Sequence, residues 1–145
     1  MNWGALESSL REEPLFYVQK PDGNRILGED ARCKTLVKYV HQLAPQATIQ
    51  HSKNEGKHNH IKAKAMGVVA GYPDYTVTWG VRGQAFVEMK GYTAAGRAGE
   101  LSQAQIDQCN KLFRQGFPVA CFFTPEAAFE WLVEQGMPTI GRIAA

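Results

Sequence analysis

The interval between Pro73-Asp74 and Glu88-Met89-Lys90 constrains this chain most, because it holds two β-strands, one turn and nothing else. Asp74-Tyr-Thr-Val-Thr reads as the first strand and Gln84-Ala-Phe-Val-Glu-Met-Lys-Gly as the second, with Gly80-Val-Arg-Gly83 as the turn between them. Side chains alternate across a strand, so a register shift of one residue moves every side chain to the opposite face. A turn centred on Val81 sets Asp74 directly opposite Glu88, with Lys90 on the same face about 7 Å further along. A simple two-residue turn would send Asp74 to the far face. Gathering both acids and the lysine therefore demands a three- or five-residue turn, or a β-bulge.

The rest of the chain supplies the frame for that hairpin. Its 145 residues predict one domain, 44% apolar and 21% charged, as in ordinary soluble proteins. Glu29–Leu43 reads as a helix, with Cys33, Leu36, Val37, Val40 and Leu43 at helical spacing. Ala47–Gln50 reads as a strand and Ile61–Met66 as a short helix stopped by Gly67. Ser102 opens a helix to Gln115 with Ile106, Cys109, Leu112 and Phe113 inward. Pro118–Phe123 is continuously apolar and reads as a strand covered on both faces. Thr124 and Pro125 begin the last helix and Gly136 closes it. The order α-β-β-β-α-β-α predicts an α/β domain with a mixed sheet, the helix after Ser102 serving as its crossover. Before it, Trp3–Arg11 reads as a short helix and Leu15–Val18 as a strand.

No run of 18 apolar residues or signal-peptide pattern is present, so the expectation is a cytoplasmic protein with no membrane partner. Cys33, Cys109 and Cys121 are odd in number and far apart, as expected of free thiols.

Two carboxylates and a lysine on one strand face are equipment for phosphodiester hydrolysis with a bound cation. Mg²⁺ keeps several waters, so one or two carboxylates beside a phosphate suffice to hold it. Asp74 and Glu88 offer those oxygens, the Met89 carbonyl a third, and Lys90 would stand beside the attacking water. A Glu-x-Lys pair taken alone is more often a solvated strand face. Glu29 aligns with the apolar stripe of its helix, which suits a cation ligand, although a first-turn glutamate also suits the helix dipole. Gln105 fits a capping box with Ser102 and also borders the inward stripe. Net charge is only +2, but Lys53, Lys57, Lys62 and Lys64 cluster with His51, His58 and His60 just before the carboxylates. Together with Asn54 they form a candidate DNA-backbone contact, the plainer reading being a solvated lysine-rich loop.

Taken together, Glu29, His51-Ser-Lys-Asn-Glu-Gly56, Lys62-Ala-Lys-Ala-Met-Gly67, Gly71-Tyr-Pro-Asp74, Glu88-Met-Lys-Gly91 and Leu101-Ser-Gln-Ala-Gln105 resemble the VRR-NUC family. That family is a branch of the PD-(D/E)xK nuclease superfamily, found in phage and bacterial proteins and in DNA-repair nucleases. The resemblance spans residues 29–136 and leaves 1–28 outside as an extension. Gln103-Ala104 stands where family members often carry Pro-Glu, and the segment from Tyr92 to Gly99 is long and glycine-rich.

The resemblance implies a restriction-endonuclease-like core and a Mg²⁺- or Mn²⁺-dependent DNA endonuclease, bacterial or phage-encoded. It assigns Asp74, Glu88 and the Met89 carbonyl to the metal, with Glu29 beside them directly or through water. It gives Lys90 to the attacking water and Gln105 to the support of the site. Small stand-alone members resemble junction-resolving enzymes, so a homodimer acting on branched DNA is the favoured expectation. The alternatives are a monomeric flap or single-strand nuclease, and a DNA-binding module that does not cleave.

Overall fold

In the computed structural model, which describes residues 11–52 and 60–144, the hairpin takes the register that sets Asp74 opposite Glu88. Strands β3 (Tyr75–Gly80) and β4 (Gly83–Met89) pair antiparallel through Tyr75↔Val87, Thr76↔Phe86, Val77↔Ala85 and Thr78↔Gln84. The register then shifts between Thr78 and Gly80, so that Gly80 pairs with Gly83 across a tight turn. Trp79 is the extra residue. The bulge reconciles a two-residue turn with the register that the acids require.

Around this hairpin lie β1 (Tyr17–Val18), helix α1 (Glu29–Leu43), β2 (Thr48–His51), helix α2 (His60–Ala65), helix α3 (Gln103–Arg114), β5 (Val119–Phe122) and helix α4 (Pro125–Glu134). They form a five-stranded mixed sheet in the order β1-β5-β4-β3-β2. The β2-β3 and β3-β4 pairs are antiparallel, while β4-β5 and β1-β5 are parallel. Among the described residues no helix is long and apolar enough to cross a membrane. Most of the helix expected over Trp3–Arg11 lies outside the described residues.

The two faces of the sheet carry separate cores. Ala85, Val87 and Met89 of β4 and Ala120 and Phe122 of β5 meet Leu36 and Val40 of α1 and Phe129 and Leu132 of α4. On the other face, Phe86, Val119 and Cys121 meet Cys109 and Leu112 of α3. Period-two alternation in β4 therefore sends Glu88 to the α3 side with Phe86. β5 is buried on both faces, as its unbroken apolar sequence required.

Two expected orientations are corrected. Phe113 is 44% exposed, because the inward arc of α3 runs through Cys109 and Leu112 and takes in Asn110 at 0%. Asn110 accepts a hydrogen bond from the Leu15 amide at 2.8 Å and donates to the Glu13 carbonyl at 2.9 Å, stitching the N-terminal segment to α3. Residues 11–28 thus belong to the folded unit, with β1 extending the sheet beyond β5. Glu29 is exposed rather than inward-facing, because the buried arc of α1 runs through Arg32, Leu36 and Val40 and leaves Glu29 at the rim of a cleft.

The thiols are free, with Cys109 and Cys121 buried and Cys33 partly so. Burial pushes the Cys109 and Cys33 thiols up to about 12, so neither is a nucleophile at neutral pH.

Candidate active site

At the end of the hairpin away from its turn, Asp74 and Glu88 bond to each other's surroundings reciprocally. Asp74 Oδ2 accepts from the Met89 amide at 2.8 Å, and Glu88 Oε2 accepts from the Asp74 amide at 3.1 Å. The amides of Phe86 and Lys90 donate to carbonyls on the β5 side, so the Met89 backbone turns towards β3. Continuing the hairpin register puts Pro73 opposite Met89, and proline has no N–H to offer its carbonyl. The proline therefore has a local meaning: it caps the ladder where the site begins.

Gln105 joins α3 to the acids. Its Nε2 donates to Glu88 Oε1 at 3.0 Å, while its Oε1 accepts from Lys90 Nζ at 3.0 Å and from the Ser102 amide at 2.9 Å. Ser102 Oγ in turn accepts from the Gln105 amide at 3.2 Å, completing the capping box. The two readings of Gln105 are thus one arrangement. The cap orients the side chain that braces Glu88 and Lys90.

Two glycines permit this convergence. A Cβ on Gly71 would stand 2.2 Å from the Ala104 carbonyl oxygen, and one on Gly91 would stand 2.4 Å from the Glu29 nitrogen. Gly71 leads into Pro73-Asp74 and Gly91 follows Lys90, so each motif is docked against a helix N-terminus through bare backbone.

Glu88 is 1% exposed and Lys90 8%, with Lys90 Nζ at 3.8 Å from Glu88 Oε1. Burial is the main cause that raises the Glu88 carboxyl well above the ordinary range, and the Asp74 charge adds to it. Burial raises Asp74 as well, opposed by the Met89 amide and the positive charge of Lys90. One buried carboxyl and one half-buried carboxyl face the Lys90 ammonium, with His51 beside Asp74. Without a further cation, the pair holds a proton at neutral pH.

Glu29, Ser52, Tyr72, Asp74, Glu88 and Gln105 line one cleft. Among the described residues no three His, Cys, Asp or Glu side chains converge as a complete metal site. Glu29 therefore borders the cleft without completing a triad with Asp74 and Glu88. The Asp74 and Glu88 carboxylates on its lining fit a hard cation that keeps waters and takes phosphate oxygens. They do not fit zinc, which requires a fuller set of side-chain ligands.

No family model, no curated protein and no solved structure matches this chain. What the site can do rests on its own geometry.

Of the residues expected to touch DNA, Lys62 and Lys64 are exposed on α2, which leads through Gly67 to the cleft residues Gly71 and Tyr72. Lys53, Asn54, Lys57 and His58 lie outside the described residues, as does the side chain of His60. Sequence reasoning gave no role to Ser52 or Tyr72 and read His51 only as part of the basic segment. The His51 ring sits 5.1 Å from that of Tyr75, and its charge lowers the Asp74 carboxyl. Ser52 is placed by its amide, which donates to the Asp74 carbonyl at 2.7 Å. The available signal was position: both residues close β2, directly across from the start of β3.

Proposed function

We propose that this protein is a divalent-metal-dependent DNA endonuclease of the VRR-NUC type, with a restriction-endonuclease-like core. The observation that carries this reading is the meeting of two carboxyls, buried Glu88 and half-buried Asp74, with one buried lysine at the edge of a cleft. A purely structural ion pair would match one carboxylate to one cation, because uncompensated buried charge is costly. Here the second carboxylate calls for a cation from outside.

Asp74, Glu88 and the Met89 carbonyl would hold Mg²⁺ or Mn²⁺. When bound, that ion supplies positive charge to the scissile phosphate and acidifies a coordinated water. Lys90, held by Gln105 Oε1, keeps further N–H groups that could donate to the attacking oxygen or the phosphate. Gln105 fixes Lys90 and Glu88 relative to each other, so their approach needs little rearrangement at the moment of reaction. Glu29 at the cleft rim would support the ion directly or through water. Lys62 and Lys64 would bind the DNA backbone beside the cleft.

The favoured substrate is branched DNA and the favoured assembly a homodimer, since cutting two strands of a junction takes two such sites. The test is cleavage of labelled four-way junction, flap, single-stranded and duplex DNA in Mg²⁺ and Mn²⁺, with EDTA and Lys90→Ala as controls. Paired nicks in the junction that vanish in both controls are expected. Junction binding with no cleavage in any divalent metal would replace this reading with that of a non-catalytic binding module. Cleavage of flaps by a protein that sediments as a monomer would replace only the substrate and the dimer.

A further inference from the structure

Resting on the nuclease reading, we propose that Arg25 and Arg97 form a second phosphate-binding rim that seats the DNA backbone on the Glu29 and Lys90 side of the cleft. The two arginines sit on different loops that the fold builds into one platform. In the first loop, the Asn24 amide donates to Asp22 Oδ1 at 3.2 Å and the Ile26 amide to Asn24 Oδ1 at 3.3 Å. Arg32 clamps that loop through Asp22 and through the carbonyls of Asn24 and Leu27. The second loop closes on itself, with the Thr93 amide on the Arg97 carbonyl at 2.8 Å and the Arg97 amide on Thr93 Oγ1 at 3.2 Å.

Direct bonds join the two loops. The Gly23 amide donates to the Tyr92 hydroxyl at 2.9 Å, and the Tyr92 amide donates to the Leu27 carbonyl at 3.3 Å. The Arg25 side chain reaches across, its Cδ lying 3.8 Å from where a Cβ on Gly96 would stand. The platform also touches the catalytic cluster. The Gly99 amide donates to the Gly91 carbonyl at 2.8 Å, and a Cβ on Gly99 would stand 3.5 Å from Lys90 Cδ.

Charge separates these two arginines from others in the molecule. Arg32 is paired with Asp22 and Arg114 with Glu12. Arg25 and Arg97 are exposed, and among the described residues neither guanidinium has a hydrogen bond or ion pair. The acid of their own platform, Asp22, is taken by Arg32. Two unneutralised guanidinium groups on touching, hydrogen-bonded loops suit a polyanion that brings phosphates to both. Guanidinium forks match phosphate geometry, and loops already ordered lose little freedom on binding. This rim is separate from Lys62 and Lys64, which approach the cleft from the Gly71 side.

The test compares wild-type protein with R25A/R97A, R25K/R97K and R82A, the last on the hairpin turn at the far end of the sheet from the acids. Binding of labelled junction and duplex DNA is measured between 50 and 200 mM salt, in EDTA and in Ca²⁺, followed by cleavage at saturating DNA in Mg²⁺. Each lost phosphate contact lowers the slope of log K against log salt by about 0.9, so R25A/R97A should lose about 2 from it and bind about tenfold more weakly. R25K/R97K should keep the slope, and R82A should keep both slope and affinity. Wild-type affinity and slope in R25A/R97A, from a protein that cleaves DNA, overturn the rim and leave the nuclease reading intact. An equal loss in R82A also overturns it, since the effect would then follow net charge and not place. A wild-type protein that binds neither DNA overturns both.

Discussion

Arg32 and Glu88 are each 1% exposed and stand at the same end of the sheet, yet they are buried in opposite ways. Arg32, on the α1 side, is fully answered: Asp22 takes both terminal nitrogens, and the carbonyls of Asn24, Leu27 and Phe123 take the remaining donors. Its guanidinium also lies over the rings of Tyr92 and Phe123, at 5.7 and 5.8 Å from their centroids. Glu88, on the α3 side, meets a second acid and shares a single lysine with it. One centre is closed and holds loops in place. The other lacks positive charge and opens into a cleft. A buried charge with a complete set of partners reads as architecture, whereas one with a deficit reads as a place for a ligand.

Removing the closed centre should have the largest effect. Arg32→Met leaves Asp22 and several carbonyls unanswered, and is expected to cost about 3–5 kcal/mol in urea unfolding. A loss below about 1 kcal/mol would mean that the cluster is not the clamp described.

The open centre should respond differently. Glu88→Gln keeps the neutral state that Glu88 mostly holds at pH 8 without metal, so the metal-free protein should melt close to wild type there. Cleavage should nonetheless fall by about 10²–10³-fold, as when a single electrostatic contact to a transition state is lost. A variant that is both less stable and fully active would erase the contrast between the two centres.

pH sharpens the same comparison. The folded-state Glu88 carboxyl is raised from 4.5 to about 9, so the folded protein holds a proton that the unfolded chain releases. The stability from this group is fully present below pH 4.5 and declines as pH rises towards 9. Metal must displace that proton, so Mg²⁺ or Mn²⁺ should raise the melting temperature more at pH 8.5 than at pH 6. Thermal melts across that range, with and without metal, check both signs, and Glu88→Gln should flatten the metal-free curve.

Smaller effects test how the open centre is assembled. Gly91→Ala must push the strand end away from the Glu29 nitrogen, at about 1–3 kcal/mol, with a larger drop in cleavage than Gly80→Ala, where nothing lies within 4 Å. Ser102→Ala removes only the hydroxyl of the cap and should cost about 1 kcal/mol. Cleavage should fall only slightly, because Gln105 keeps its bonds to Glu88 and Lys90. Equal losses from the two variants would mean that the cap, not the glycine approach, sets the site.

Local pattern made much of this legible. The α1 span, the two-sided burial of β5 and the caps at Ser102 and Thr124 follow from periodicity and end signals that act within a few residues. The hairpin register was legible because chemistry and alternation allowed few solutions, and the bulge at Trp79 supplies one of them. The side chains of Glu29 and Phe113 were misplaced for a shared reason. A helical stripe gives relative angles, but it does not say where the stripe is centred or how far a helix end projects past the sheet. Arg32 and Asn110 were missed because polar residues on an inward arc look like errors until their partners arrive from the N-terminal segment.

The sequence by itself determined the elements, the pairing of Asp74 with Glu88 and the common face of Lys90, since these depend on residues close along the chain or joined by one short turn. Only the tertiary structure decided that Gln105 is both cap and brace, that Gly71 and Gly91 let two helix ends reach the acids, and that Arg25 and Arg97 share a platform. Those facts depend on where separate elements stop in space. That position is set by the packing of two cores on opposite faces of the sheet, which no single stretch of sequence encodes.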